Sequence, residues 1–197
     1  GGTIGNNSAK GNGGGVYVTS TGTFNMFGGT IRDNVTTGYN NGGGVYVTSN
    51  GTFNLSGGTI SNNTSPQGNG GGAYIGGGTF NLSGKPIIKD NTGNASLNNV
   101  YLIESKIITI TGALERDASI GVTMYQPGVF TSSTDDAKAK DYATNFTSDN
   151  SIYTVQTEGD ELKLGEAPIT KYSLWVGGVQ VTSVNKDNVF AGDATND

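Results

Sequence analysis

The sequence predicts an all-β fold, a right-handed single-stranded parallel β-helix of about 28 residues per coil and three strands per coil. Three observations carry that expectation. Gly-Gly-Gly begins at Gly13, Gly42 and Gly70, Thr-Phe-Asn at Thr23, Thr52 and Thr79, and Gly-Gly-Thr-Ile at Gly1, Gly28 and Gly57, so three different landmarks share one period. Inside each period, apolar and polar residues alternate over short runs, the pattern of strands with one buried face. Glycine is concentrated where the repeats are, with 26 of the 34 glycines in residues 1–99.

The second repeat shows the elements in order. Val45-Tyr46-Val47, Thr52-Phe53-Asn54-Leu55 and Thr59-Ile60 are three strand-like runs separated by glycine or polar turns. Alternation places Val45 and Val47 on one face with Tyr46 opposite, and Phe53 and Leu55 on one face with Asn54 opposite. The same pattern recurs as Val16/Val18, Phe24/Met26 and Ile31, then as Ala73/Ile75, Phe80/Leu82 and Ile88. One such turn cannot hide its apolar face, but turns stacked about 4.8 Å apart can, with Val over Val and Phe over Phe. Disordered chains usually combine low hydrophobicity with high net charge, a combination this repeat region lacks.

One asparagine holds its place in every repeat: Ile4-x-x-Asn7, Ile31-x-x-Asn34, Ile60-x-x-Asn63 and Ile88-x-x-Asn91. In register, these amides are expected to hydrogen-bond from coil to coil as a structural ladder, since a buried amide without partners costs about 1–3 kcal/mol. The competing reading, a row of metal or ligand groups, has less in its favour. A fourth coil follows with fewer glycines, through Val100-Tyr101-Leu102, Ile108–Gly112 and Ile120–Thr123. Its charges, Glu104, Lys106, Glu115, Arg116 and Asp117, mark the expected end of the array. The acids there, with Asp135 and Asp136, read as a solvated end cap.

The expected division is coils over 1–124, a small β-rich α+β cap over 125–165, and a linker with the start of a truncated second β module over 166–197. In the cap, Thr134 is placed to cap a short helix over 135–140. Ser151–Gln156 and Glu161–Leu164 read as a hairpin around Gly159-Asp160. Beyond the linker, Tyr172–Thr182 reads as a second hairpin turning at Gly177-Gly178, and it contains the only tryptophan, Trp175.

Composition narrows the function classes. The net charge of −5 argues against nucleic acid and anionic membranes as partners, and no apolar run approaches the ~20 residues of a membrane span. With no initiator Met and no signal peptide, the chain is expected to be a segment of a longer exported protein. The absence of histidine and cysteine removes the usual general base, the thiol nucleophile and most transition-metal sites. Asp33 and Asp90 precede ladder asparagines, but Asn6 and Asn62 hold the equivalent places, so no carboxylate pair suited to acid–base chemistry emerges. Glycine-rich stretches lack the aspartate of calcium-binding β-roll repeats. No catalytic residue, metal or cofactor is expected.

The coil motif resembles the short repeats of bacterial surface β-helix proteins, including the polymorphic outer-membrane protein repeat. That repeat's Gly-Gly-small-apolar element appears as Gly14-Gly15-Val16, Gly43-Gly44-Val45 and Gly71-Gly72-Ala73. Its Phe-x-x-Asn element appears as the Ile-x-x-Asn set, with Ile for Phe. The whole chain is similar to large multidomain surface proteins of Gram-positive gut bacteria, on Gly112-Ala113-Leu114, Phe146-Thr147-Ser148-Asp149 and the run Tyr172–Thr182. The resemblance implies secretion, a cell-surface location and adhesion-like roles, and it transfers no catalytic residue.

Tyr17, Tyr46, Tyr74 and Tyr101 sit mid-strand in four successive repeats. Projecting outward, one per coil, they form the candidate ligand-binding row; stacked tyrosines stabilising the sheet are the plainer reading. The function expected is thus a non-catalytic structural or adhesive module facing glycans or surface proteins. The alternative is part of a carbohydrate-active enzyme of polysaccharide lyase or glycoside hydrolase type, with its catalytic coils elsewhere.

Overall fold

Short alternating strands leave each coil with an apolar face that only its neighbours above and below can cover. The computed structural model describes residues 1–134 and 136–168 and the strands Leu174–Val176 and Val179–Val181. In it the chain winds into a parallel β-solenoid of about five turns.

The first row of strands stacks Val16–Val18, Val45–Val47, Ala73–Ile75 and Val100–Leu102 in register. The second row stacks Thr23–Met26 on the segments that begin at Thr52 and Thr79, then on Ile108–Leu114. The third carries Thr3–Gly5, Thr30–Arg32 and the Ile60 and Ile88 ends of those segments. Like sits on like: Tyr46 pairs with Tyr74, Phe53 with Phe80 and Ile60 with Ile88. Val45, Val47, Phe53, Leu55 and Ile60 are all buried, while Tyr46 and Asn54 between them stay partly exposed, as the alternation predicts.

Four features differ from the sequence expectation or add to it. In the middle coils the second and third strands are one continuous strand, Thr52–Ser61 and Thr79–Lys89. The latter has one residue more between Leu82 and Lys85 and absorbs it as a bulge at Gly84, whose φ of 63° suits glycine. The bulge is why Phe80 follows Phe53 by 27 residues while Ile88 follows Ile60 by 28. A two-residue fourth strand also recurs after the third-row strand of each coil, at Ser8–Ala9, Val35–Thr36, Thr64–Ser65 and Thr92–Gly93.

Third, the parallel stack runs past residue 124. Ser119–Met124 serves two rows at once: Ile120 lies on Ile88, and after Gly121 the segment Val122–Met124 lies on Val100–Leu102. A fifth turn continues through Thr131–Ser133 on Ile108–Ile110 and Phe146–Ser148 on Ile120–Val122. The boundary expected at 124 therefore falls inside this turn, and the compact unit extends to Glu166.

Fourth, the helix expected over 135–140 begins later. A 3-10 helix spans Ala139–Asn145, and Lys138 precedes it in extended backbone without a side-chain capping bond of its own. Ser133, at the end of its strand, accepts the Ala139 N–H on its hydroxyl, while Thr134 bridges only to Ala137. The chain stays strand-like through Ser133 because that strand completes a row. Asp135 lies outside the described residues.

The hairpin Tyr153–Glu158 with Glu161–Glu166 forms as expected and closes the far end. Its Glu161 carboxylate accepts the Ser133 N–H at 2.9 Å and the Thr131 hydroxyl at 2.8 Å, so part of the last strand's edge is not left open. Leu162 and Leu164 are buried with Phe130 and Phe146. Ala167–Asp197 forms a separate unit, in which Leu174–Val176 and Val179–Val181 pair antiparallel with Leu174 opposite Val181. The turn expected at Gly177-Gly178, the side chain of Trp175 and residues 182–197 lie outside the described residues.

Candidate functional site

Parallel stacking without a register shift brings the four row tyrosines directly over one another. Tyr17 and Tyr46 have ring centroids 5.3 Å apart, Tyr46 and Tyr74 5.2 Å, and Tyr74 and Tyr101 5.4 Å, with interplanar angles of 13°, 4° and 6°. The faces of the inner rings point at each other along the solenoid. Water and any ligand meet mainly their edges and hydroxyls. Tyr17 has a row neighbour on one side only and is 50% exposed, whereas the other three are half-buried.

Glycine makes room for this row. A side chain at Gly42 would start 2.8 Å from the Tyr46 Cβ, and the backbone there, at φ 72°, is the left-handed form that glycine tolerates. Burial pushes the Tyr46, Tyr74 and Tyr101 phenols above their ordinary ionisation range. A neighbouring phenol adds to each shift: Tyr17 for Tyr46, Tyr46 and Tyr101 for Tyr74, and Tyr125 for Tyr101. These hydroxyls are therefore neutral donors and acceptors at physiological pH. The row ends at Tyr101, because Thr123 takes the place above it.

The ladder asparagines also come together, one per coil, on the inside of the bend that follows each third-row strand. Asn7 donates its amide to the Asn34 side-chain oxygen at 2.8 Å, Asn34 to Asn63 at 2.8 Å, and Asn63 to Asn91 at 2.9 Å. Main-chain partners fix the direction. Each acceptor oxygen also receives the backbone N–H of the preceding ladder residue, and the Asn34, Asn63 and Asn91 amides donate to the carbonyls of Ile4, Ile31 and Ile60. Asn34, Asn63 and Asn91 are buried and fully engaged, so the ladder is structural.

Two members of this column were not predicted. Asn91 donates to Asn99 at 3.0 Å, and Asn99 donates to the carboxylate of Asp149 at 2.6 Å. Asn99 holds the position before a first-row strand that Gly72 holds one coil earlier. The turn that should supply the next amide is missing, because Ile120 passes through Gly121 straight into the first row. Asp149 did carry a signal: Phe146-x-x-Asp149 has the ladder spacing, with Phe for Ile and Asp for Asn, and Phe146 lies on Ile120.

A second amide column runs on the outside, where Asn81 donates to Asn54 and Asn54 to Asn25, each at 2.7 Å. The residues before the ladder asparagines, Asn6, Asp33, Asn62 and Asp90, all have φ between 56° and 60°. That explains why only Asn and Asp alternate there: both tolerate the left-handed turn. Among the described residues, no group of three or more acidic side chains is placed to hold a metal ion. Glu104, Glu115, Asp117 and Asp136 are exposed, and Asp117 pairs with Lys85. No helix among the described residues is long and apolar enough to cross a membrane.

The comparisons identify no relative. No family model matches the chain, and neither a curated protein nor a solved structure is significantly similar to it.

Proposed function

We propose that the chain is a non-catalytic structural and adhesive module of a bacterial cell-surface protein, presenting its repetitive outer face to glycans or surface proteins. The observation that supports this reading is the tyrosine row: neutral phenols in register, one per coil, about 5.3 Å apart. A polymer with its own short repeat meets such a row as a series of equivalent contacts, and contacts in series add avidity without a deep pocket. Because the inner rings stack face to face, the contacts on offer are hydroxyl hydrogen bonds and ring edges rather than open aromatic platforms.

Glycan-array binding set beside a polysaccharide depolymerisation assay tests the proposal. Binding without cleavage is the expected result. Tyr46→Phe with Tyr74→Phe keeps the stack and removes two hydroxyls, so it should weaken binding at unchanged melting temperature. Reproducible cleavage by the pure protein, abolished by a point mutation, overturns the non-catalytic reading. Absence of any glycan or protein ligand overturns the adhesive one.

A further inference from the structure

The inner asparagine column begins with amides and ends on a carboxylate. We propose that Asp149 is the proton-binding terminus of this ladder, and that protonating it tightens the closing turn of the solenoid. Its Oδ1 accepts the Asn99 amide at 2.6 Å, and its Oδ2 accepts the Asn99 backbone N–H at 2.7 Å and the Thr123 hydroxyl at 3.2 Å. Its own N–H donates to the Val122 carbonyl at 3.0 Å. One side chain thus ties the approach to the fourth first-row strand, the strand through Thr123, and the last third-row strand.

The site accepts a proton without rearranging. A hydroxyl both donates and accepts, so Thr123 can turn from donor to acceptor for a proton on Oδ2. Oδ1 then serves as a carbonyl and continues to receive the Asn99 amide. The ladder is intact in both states, but only the protonated one is free of a half-buried charge.

Among the described residues, no cation offsets that charge. The groups that face Asp149 are Asn99, Gly121 and Thr123, none of which titrates near neutrality. From the terminal hairpin, Tyr153 lines the small cavity shared by Thr123, Ser148 and Asn150. No ion pair to Asp149 is present among the described residues. Burial therefore outweighs the hydrogen bonds from Asn99 and Thr123 and raises the carboxyl above its ordinary value of 3.8. The fold binds the proton more tightly than the unfolded chain does. Stability is gained as pH falls through the raised midpoint and is fully present below the unfolded value.

The test is a carbon-detected NMR titration of the Asp149 carboxyl in the whole chain, with melting curves from about pH 7 to about pH 4 for wild type and Asp149→Asn. The expected result is a midpoint above the ordinary aspartate value of 3.8. The wild-type melting temperature should also rise on acidification relative to the variant, which places a neutral ladder residue at the same point. A midpoint at or below 3.8, or parallel pH profiles for the two proteins, overturns the proposal. If the variant fails to fold, the wild-type titration decides alone.

Discussion

Asn99 gives both its backbone N–H and its side-chain amide to a single carboxylate, that of Asp149, fifty residues further along the chain. The same double donation joins each earlier pair in the column, where the acceptor is an asparagine oxygen. At Asp149 the two donations are divided between the two carboxylate oxygens, whereas in each earlier pair both reach one asparagine Oδ1.

Breaking the column at its centre should be costly. Asn63→Ala leaves the Asn34 N–H and the Ile31 carbonyl without their side-chain partner. The Asn34 amide loses its acceptor as well, and three unsatisfied buried groups at about 1–3 kcal/mol each predict a loss of about 3–9 kcal/mol, measurable by urea denaturation. Asn63→Asp should be worst at neutral pH and recover part of the loss on acidification, because a central carboxylate is buried without a cation.

Phe53 is buried between Phe24 and Phe80, at centroid distances of 5.4 and 5.0 Å. Phe53→Ala should cost about 3–5 kcal/mol through lost burial and the cavity left behind. Phe53→Asp should unfold the array, since it places a charge inside the coil stack. In a double-mutant cycle, Phe53→Ala and Phe80→Ala should couple by about 0.5–3 kcal/mol, as neighbours in one column do.

Glycines of the repeat region should differ sharply in tolerance. A Cβ at Gly72 would lie 2.5 Å from the Asn99 carbonyl and 2.8 Å from the Asn91 amide, whereas at Gly28 nothing lies within 4 Å. Gly72→Ala should destabilise by about 1–3 kcal/mol, and Gly28→Ala should stay within about 0.5 kcal/mol of wild type, both read from thermal melts.

The surface ion pairs respond to pH in the opposite sense to Asp149. Hydrogen bonding and charge from Lys85 hold Asp117 below its ordinary 3.8, and Lys140 with Lys138 does the same for Asp160. Their contribution is present above the unfolded value and is lost as pH falls through the lowered folded one. Acidification should therefore weaken the fold only below about pH 3.8 through these pairs, and added salt should blunt that step because both pairs are exposed. Melting curves at low and high salt, extended to strong acid, separate the two windows.

In a spectrophotometric titration, the Tyr46, Tyr74 and Tyr101 phenols should ionise later than a free tyrosine at 10.0. Since the fold favours the neutral phenol, stability should fall as pH rises past that unfolded value. Denaturant should collapse the late ionisations onto the ordinary one.

The rows and the first four ladder residues were legible because a solenoid writes its contacts at a fixed sequence interval: whatever recurs at about 28 residues touches. Val45 inward and Tyr46 outward followed from alternation alone. Asn99 was not legible, because it sits eight residues after Asn91 yet joins the next layer, and sequence distance there no longer measures height. The fifth turn hid for a related reason: Ser119–Met124 fuses two rows across Gly121, so the strand count per coil changes. Outward-facing tyrosines were legible, but not the face-to-face packing that decides what they can offer a ligand.

The match of coil upon coil makes length a heritable variable of this architecture. Asn41 leads into Gly42 as Asn69 leads into Gly70, and Tyr46 lies on Tyr74 in the same register. Excising residues 42–69 would join Asn41 to Gly70 and reproduce the native junction, shortening the rod by one step of about 4.8 Å. Duplicating them would lengthen it by the same step. Unequal exchange between repeats can therefore reset how far such a rod reaches, in whole turns, while the amide column gains or loses one rung at each step and keeps its terminal carboxylate.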